Sequence, residues 1–100
     1  MDINISQNDK EVLAVINGRL DTVTSPKMES SLMPYVQEGH QLILDCSAMD
    51  YVSSAGLRVI LILHKSLSAK GGKLILRHLN KDVQSVFDMT GFSRILSIEA

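Results

Sequence analysis

The chain has 100 residues, of which 45% are hydrophobic and 21% are charged, and this composition predicts one globular domain over residues 1–100. Fibrous and disordered proteins are excluded, because the chain has only 6 glycines and 2 prolines and is rich in apolar residues. Ten basic and eleven acidic residues leave a net charge of −1, which provides no field to attract nucleic acid or anionic lipid.

The N-terminal segment predicts a β-hairpin. Residues 3–7 alternate apolar and polar side chains, as an edge strand does, and Asn8-Asp9 has the composition of a turn. The denser apolar run over 12–16 predicts a second, more buried strand. After Asn17-Gly18 we expect a polar loop over 19–24.

A first helix is predicted to begin after that loop. Ser25 is a suitable N-cap, and Pro26 suits the first helical position because it needs no backbone donor. Apolar residues then recur every four positions, and Gly39 can take the left-handed conformation that ends a helix. Pro34 removes an interior hydrogen bond, so we expect a kink or an early end.

The next segment predicts a buried strand and the strongest helix. Residues 41–46 form a short, almost unalternated apolar run, which is typical of a strand covered on both faces. A loop is expected over 47–52. The helical pattern then runs from Ser53-Ser54 to about Lys70, where Gly71-Gly72 ends it.

The last third repeats this pattern. Residues 73–76 predict a strand, Asn80 and Gly91 cap the two ends of a helix, and 95–98 predict a final strand. The order is β-β-α-β-α-β-α-β. Because short crossovers between parallel strands are right-handed, we predict an α/β fold with a mostly parallel sheet, an antiparallel N-terminal edge strand and packed helices.

No residue pattern indicates an enzyme, a cofactor or a metal. The three histidines lie in different elements without neighbours at ligand spacing, and no glycine-rich phosphate loop or hydrolase motif occurs. Asp21, Asp45 and Asp50 fall at strand ends and in turns, where acids are usually solvated. Cys46 is expected to be a core residue.

Cysteine usage and hydropathy favour a soluble cytoplasmic protein. A single cysteine excludes an internal disulfide, and the first residues lack the basic and apolar regions of a signal peptide. The longest apolar run, 59–63, is far shorter than the roughly 20 residues of a membrane span.

Two hydroxyls, Ser53 and Ser54, fall at a predicted helix N-terminus that follows a buried strand. Serine at such a position commonly caps the helix, and capping by Ser53 needs no further function. A functional interpretation is also open, because loops at the carboxyl ends of parallel strands form binding sites and helix N-termini accept phosphate.

Nearly the whole chain resembles the STAS family, the anti-sigma factor antagonists. Four blocks in order carry the resemblance: Gly18-Arg19-Leu20-Asp21, Leu42-Ile43-Leu44-Asp45 leading to Tyr51-Val52-Ser53-Ser54-Ala55-Gly56-Leu57, Gly71-Gly72-Lys73-Leu74, and Val86-Phe87-Asp88-Met89-Thr90-Gly91. The resemblance implies a single STAS domain that acts as a binding protein and is not an enzyme.

The family's phosphorylation site reads Asp, Ser, Ser or Thr, then Gly. With Gly56 aligned, the phosphorylated position is Ser54, while Ser53 replaces the usual acid and Ala55 replaces the second hydroxyl. Asp21 matches an acid that helps to dock the kinase, or else it caps the next helix. The partner surface implied by resemblance and adjacency comprises Asp21, Tyr51, Val52, Ser53, Gly56, Leu57 and Arg58.

The resemblance implies a partner switch. The unphosphorylated antagonist binds an anti-sigma serine kinase of the GHKL-type ATPase fold and frees a sigma factor. The kinase then phosphorylates and releases the antagonist, and a PP2C-type phosphatase resets it. One alternative is a STAS subunit of a transport, lipid-trafficking or scaffold assembly, in which Ser54 is only a helix cap. Another is a nucleotide-binding or nucleotide-hydrolysing domain.

Overall fold

The computed structural model describes residues 1–99 and confirms the predicted order of strands and helices. The elements are β1 (Asp2–Asn8), β2 (Glu11–Leu20), α1 (Ser25–Leu32), β3 (Gln41–Val52), α2 (Ser54–Ala69), β4 (Lys73–Arg77), α3 (Lys81–Thr90) and β5 (Ser97–Glu99). Short 3₁₀ turns follow α1 at Met33–Tyr35 and α3 at Phe92–Arg94. The α/β class is therefore confirmed.

The five strands form one mixed sheet in the order β1-β2-β3-β4-β5. β1 is antiparallel to β2, and every other neighbouring pair is parallel. Because successive right-handed crossovers advance in one direction along the sheet, they place all three helices on the same face. Met28, Leu63 and Phe87, one from each helix, accordingly lie in a single core cluster.

Within residues 1–99 no helix covers the other face of the sheet, which corrects the expectation that β3 is covered on both sides. Leu42 and Leu44 belong to the core cluster beneath the helices, whereas Ile43 alternates to the opposite face. Ile43 and Ile75 are still only 2% and 6% exposed. They pair across β3 and β4, so each covers part of the other.

Residues 19–20 and 47–52, which were predicted to lie in loops, are strand instead, whereas 21–24 form a loop as predicted. β2 continues through Asn17-Gly18 to Leu20, and β3 continues through 47–52, where the two strands remain paired. The register shifts between Val15 and Asn17 and again between Gly18 and Arg19, and Gly18 has φ +108°. Such bulges interrupt the two-residue alternation by which a strand is recognised in a sequence.

The ends of the first helix and of the last strand also differ from prediction. Thr24, not Ser25, precedes α1, while the Ser25 hydroxyl donates to the Asp21 carbonyl. Pro34 ends the helix early, as expected, at Leu32, so Gly39 is not the residue that ends it, although it has φ +69°. β5 begins only at Ser97, because the chain first makes the 3₁₀ turn after α3.

The remaining predicted helix ends are confirmed. Asn80 caps α3 by accepting a 2.8 Å hydrogen bond from the Val83 N–H, and Gly91 ends that helix with φ +81°.

Cys46 is a core residue, as predicted: it is 1% exposed, and burial raises the pKa of its thiol to about 12. Within residues 1–99 no helix is long and apolar enough to cross a membrane, and no three His, Cys, Asp or Glu side chains gather as a metal site would require.

Candidate functional site

The candidate site lies where β2 and β3 end and α2 begins. The Ser53 N–H donates to the Leu20 carbonyl at 2.9 Å, which joins the start of α2 to the end of β2. Ligand sites in sheets of this kind form at the carboxyl ends of the strands. The extra length of β2 and β3 therefore brings the loop 21–24 and the first turn of α2 to one edge of the molecule.

The two adjacent serines have different structural roles. Ser53 is the N-cap of α2, with extended backbone angles of φ −95° and ψ 173°, and its hydroxyl accepts a 3.2 Å hydrogen bond from the Gly56 N–H. Ser54 is the first helical residue and is exposed, so the alternative in which Ser54 is the helix cap is wrong. Among residues 1–99 its hydroxyl has no hydrogen-bond partner, so it is available to a reagent from solvent.

Asp21 organises the loop between β2 and α1. One carboxylate oxygen accepts 3.0 Å hydrogen bonds from the N–H groups of Val23 and Thr24. The bond from the Thr24 N–H is the main cause that holds the pKa of the Asp21 carboxyl below its usual range. The other oxygen lies 3.6 Å from the Arg19 guanidinium. Asp21 thus orders the turn that leads into α1, but Val23 and Thr24 precede the helix, so its carboxylate does not cap the helical N–H groups.

Arg19 stacks on Tyr51 beside this loop. The two residues are paired across β2 and β3, and the Arg19 guanidinium carbon lies 4.1 Å from the centre of the Tyr51 ring. Tyr51 is 41% exposed, so one part of its ring remains open to solvent. Arg19 is therefore held from two sides, by the ring and by the Asp21 carboxylate.

Burial divides the predicted partner surface into two groups. Tyr51, Ser54 and Arg58 are exposed, and Asp21 and Ser53 are half-buried. Val52, Gly56 and Leu57 are instead buried, with Val52 and Leu57 only 5% and 6% exposed. These three buried residues position the surface from below.

A groove between α1 and α2 borders the site. Its volume is about 330 Å³, and its walls include Thr22, Glu29, Ala55, Arg58 and Ile62. Arg58 follows Ser54 by four residues, about one helical turn, so the groove opens beside the exposed serine.

The sequence did not predict two features of this surface. One is the exposed side chain of Val23, and the other is the contact between Arg19 and Tyr51. Val23 is 84% exposed beside the Asp21 turn. The exposure of Val23 could have been predicted, because it is a large apolar residue inside a polar loop. The Arg19–Tyr51 contact could not, because both residues were assigned to loops whose strand register was unknown.

Comparison with known proteins agrees with this geometry. The STAS domain family model matches residues 2–100. This chain belongs to the STAS domain family. BtrV of Bordetella bronchiseptica is 32% identical to this STAS domain over 99 residues, covering 98% of this chain and 85% of that protein. The anti-sigma-B factor antagonist of Bacillus subtilis is 28% identical over 100 residues, covering 100% and 92%.

Solved STAS structures share the fold. The anti-sigma factor antagonist SpoIIAA in its unphosphorylated form superposes with a TM-score of 0.82 at 16% identity, covering 99% of this chain and 89% of that one. SpoIIAA of Bacillus in the phosphorylated form superposes with a TM-score of 0.75 at 15% identity, covering 99% and 92%. At these identities the likeness establishes the architecture alone.

Proposed function

We propose that this STAS domain is an anti-sigma factor antagonist whose binding to an anti-sigma serine kinase is controlled by phosphorylation of Ser54. It acts as a binding switch and not as an enzyme. Support for the antagonist role comes from the Bacillus subtilis relative, which bears that name and matches the whole chain.

The observation that carries the proposal is that the hydroxyls of Ser53 and Ser54 have different structural roles. A hydroxyl that accepts phosphate must be exposed to the kinase and must not be needed for a hydrogen bond within the fold. Ser54 is exposed and has no hydrogen-bond partner within residues 1–99, whereas the Ser53 hydroxyl is engaged by Gly56. A phosphate at the first position of α2 also meets the free N–H groups and positive dipole end of the helix, which favour an anion.

Phosphorylation acts on the docking surface in this mechanism. A phosphate adds about −1.5 to −2 charges at pH 7. It joins the carboxylates of Asp21, which is half-buried, and Asp50, which is exposed at the end of β3. An anion at the centre of the contact must be desolvated and repels acidic groups of the partner, so binding weakens while the fold persists.

The proposed cycle needs two partners. A serine kinase of the GHKL-type ATPase fold binds the unmodified surface, on which Asp21, Tyr51 and Arg58 make direct contacts, and then transfers phosphate to Ser54. A PP2C-type phosphatase removes the phosphate and restores binding.

Affinity capture from the lysate of the native organism tests the proposal. Three baits are compared: the unmodified protein, Ser54→Asp, and Ser85→Asp as a matched control that adds the same charge at an exposed serine of α3. We expect a GHKL-type kinase on the unmodified and Ser85→Asp baits and its loss from Ser54→Asp.

The opposite result is equally specific. Retention of one membrane or scaffold assembly by all three baits, with no kinase, would overturn the switch. Ser54 would then be an ordinary surface residue of a STAS subunit in such an assembly.

A further inference from the structure

We infer that Arg58 is the internal counter-ion of the phosphate on Ser54. The inference rests on the proposed phosphorylation of Ser54 and adds a role that the switch itself does not require. Under it, the phosphate is held by the domain's own α2 and does not extend freely into solvent.

The spacing of the two residues places them side by side. Ser54 and Arg58 lie four residues apart on α2, and such residues have Cβ atoms about 5 to 6 Å apart on one helix face. Side chains of a helix lean toward its N-terminus, so the Arg58 side chain extends back over the turn that begins with Ser54. A guanidinium matches phosphate oxygens with two parallel hydrogen bonds.

Arg58 is also free to take this role. The two ion pairs formed within residues 1–99 are Arg19–Asp21 and Arg77–Glu99, and neither includes Arg58. Glu29 shares the groove with Arg58, but the two form no ion pair. Arg58 is exposed and forms no side-chain hydrogen bond or ion pair within residues 1–99, so no polar contact must break before it pairs with a phosphate.

Arg19 is a poorer counter-ion than Arg58. Its guanidinium is already held by the Asp21 carboxylate at 3.6 Å and by the face of Tyr51 at 4.1 Å. Moving Arg19 to the phosphate would break both contacts. Of the two arginines at this site, Arg58 is therefore the one that forms no ion pair within residues 1–99.

The pairing of Arg58 with the phosphate increases the effect of phosphorylation on partner binding. In the unmodified domain Arg58 faces solvent and is available to an acidic group of the partner. After phosphorylation the phosphate on Ser54 captures it. A single modification therefore adds an anion to the docking surface and withdraws a cation from it, so both effects oppose a partner that binds through a carboxylate near Arg58.

A double-mutant cycle on the isolated domain tests the pairing. Phosphoserine is installed at position 54 during translation, so the test does not depend on any kinase. Melting temperatures are measured with and without the phosphate for the parent protein, Arg58→Ala, Arg58→Lys and Lys65→Ala. The control removes an exposed cation farther along α2. The cycle cancels any cost that Arg58→Ala has on its own.

We expect the phosphate to change the melting temperature more favourably, by about 2 to 4 °C, in the parent protein than in Arg58→Ala. Arg58→Lys should recover part of this difference, and Lys65→Ala should behave as the parent does. In a ³¹P NMR titration, the second pKa of the phosphoserine should be lower in the parent than in Arg58→Ala, because the guanidinium favours the dianion.

Equal behaviour of Arg58→Ala and Lys65→Ala in both measurements would overturn the inference. That outcome is distinct from failure of the proposed function. A kinase that neither binds the domain nor phosphorylates Ser54 refutes the switch, whatever the cycle shows.

Discussion

Leu20 occupies the space that a side chain at Gly56 would need. A Cβ atom built on Gly56 would lie 2.7 Å from the Leu20 Cγ and 2.9 Å from the Leu20 carbonyl oxygen. That carbonyl also accepts the Ser53 N–H, so the first turn of α2 rests directly on the end of β2. The glycine of the family motif thus has a structural cause here, which is the close approach of helix and strand.

Replacement of Gly56 by alanine should therefore destabilise the domain. Helix propensity alone favours alanine over glycine by up to about 1 kcal/mol. Forcing a methyl group against a backbone oxygen and a fully buried leucine costs about 1 to 3 kcal/mol, and this cost decides the sign. Urea unfolding of Gly56→Ala measures the change, with Ala55→Gly in the same turn as the propensity control. A Gly56→Ala protein more stable than the parent would contradict the contact.

The order of strands and helices was predictable, because residues that favour the beginning or the end of a helix mark the boundaries in the sequence. Pro26, Asn80 and Gly91 act at the ends of helices for reasons local to the chain. The full lengths of β2 and β3 were not predictable, because the bulges around Gly18 break the alternation that identifies a strand. The stacking of Arg19 on Tyr51 follows only from that register and so could not be foreseen.

The start of α2 was predictable to within one residue. A serine before a helical pattern indicates a cap, but adjacent serines leave two possible starts. The backbone of Ser53 is extended and that of Ser54 is helical, which assigns the cap to Ser53. This choice depends on the packing of α2 against Leu20, a contact between distant parts of the chain.

Phosphorylation of Ser54 should change the stability of the fold little. The modified side chain is exposed, and the helix N-terminus favours an anion, so no buried contact must break. Thermal unfolding followed by circular dichroism should give melting temperatures within about 5 °C for the two forms, the shift expected for 1 kcal/mol or less. Ser85→Asp controls for the added charge. A much larger decrease would make the switch an unfolding event.

Acid should weaken the fold partly through Asp21. Hydrogen bonds, chiefly from the Thr24 N–H, lower the pKa of this carboxyl in the folded protein. A lowered folded pKa stabilises the fold above the ordinary aspartate pKa, near pH 4, and this contribution is lost as pH falls through the folded value. As the pH is lowered, the unfolding free energy of Asp21→Asn should therefore decrease less than that of the parent protein. An NMR titration that places the Asp21 pKa at or above its ordinary value would contradict the hydrogen-bond geometry.

The thiol of Cys46 should be inert in the native protein. It is buried in the core, donates weakly to the Leu44 carbonyl at 3.6 Å, and burial raises its pKa to about 12, so the reactive thiolate is scarce. Reaction with a disulfide reagent should be at least about a hundredfold slower in buffer than in urea, because access requires opening of the core. Ser68→Cys adds an exposed thiol on α2 that should react at once. Equally fast labelling of Cys46 would mean that the strand is open.

Exchanging each of the two serines for alanine should separate the cap from the phosphoacceptor. Ser53→Ala removes the hydroxyl that accepts from the Gly56 N–H, so unfolding free energy should fall by about 1 kcal/mol while phosphate incorporation stays largely intact. Ser54→Ala removes an exposed hydroxyl that has no hydrogen-bond partner within residues 1–99, so stability and partner binding should persist while incorporation is abolished. Urea unfolding and labelling with radioactive ATP and the captured kinase measure both effects in each variant. Each serine thus controls for the other, and incorporation that survives in Ser54→Ala would reassign the phosphorylated residue.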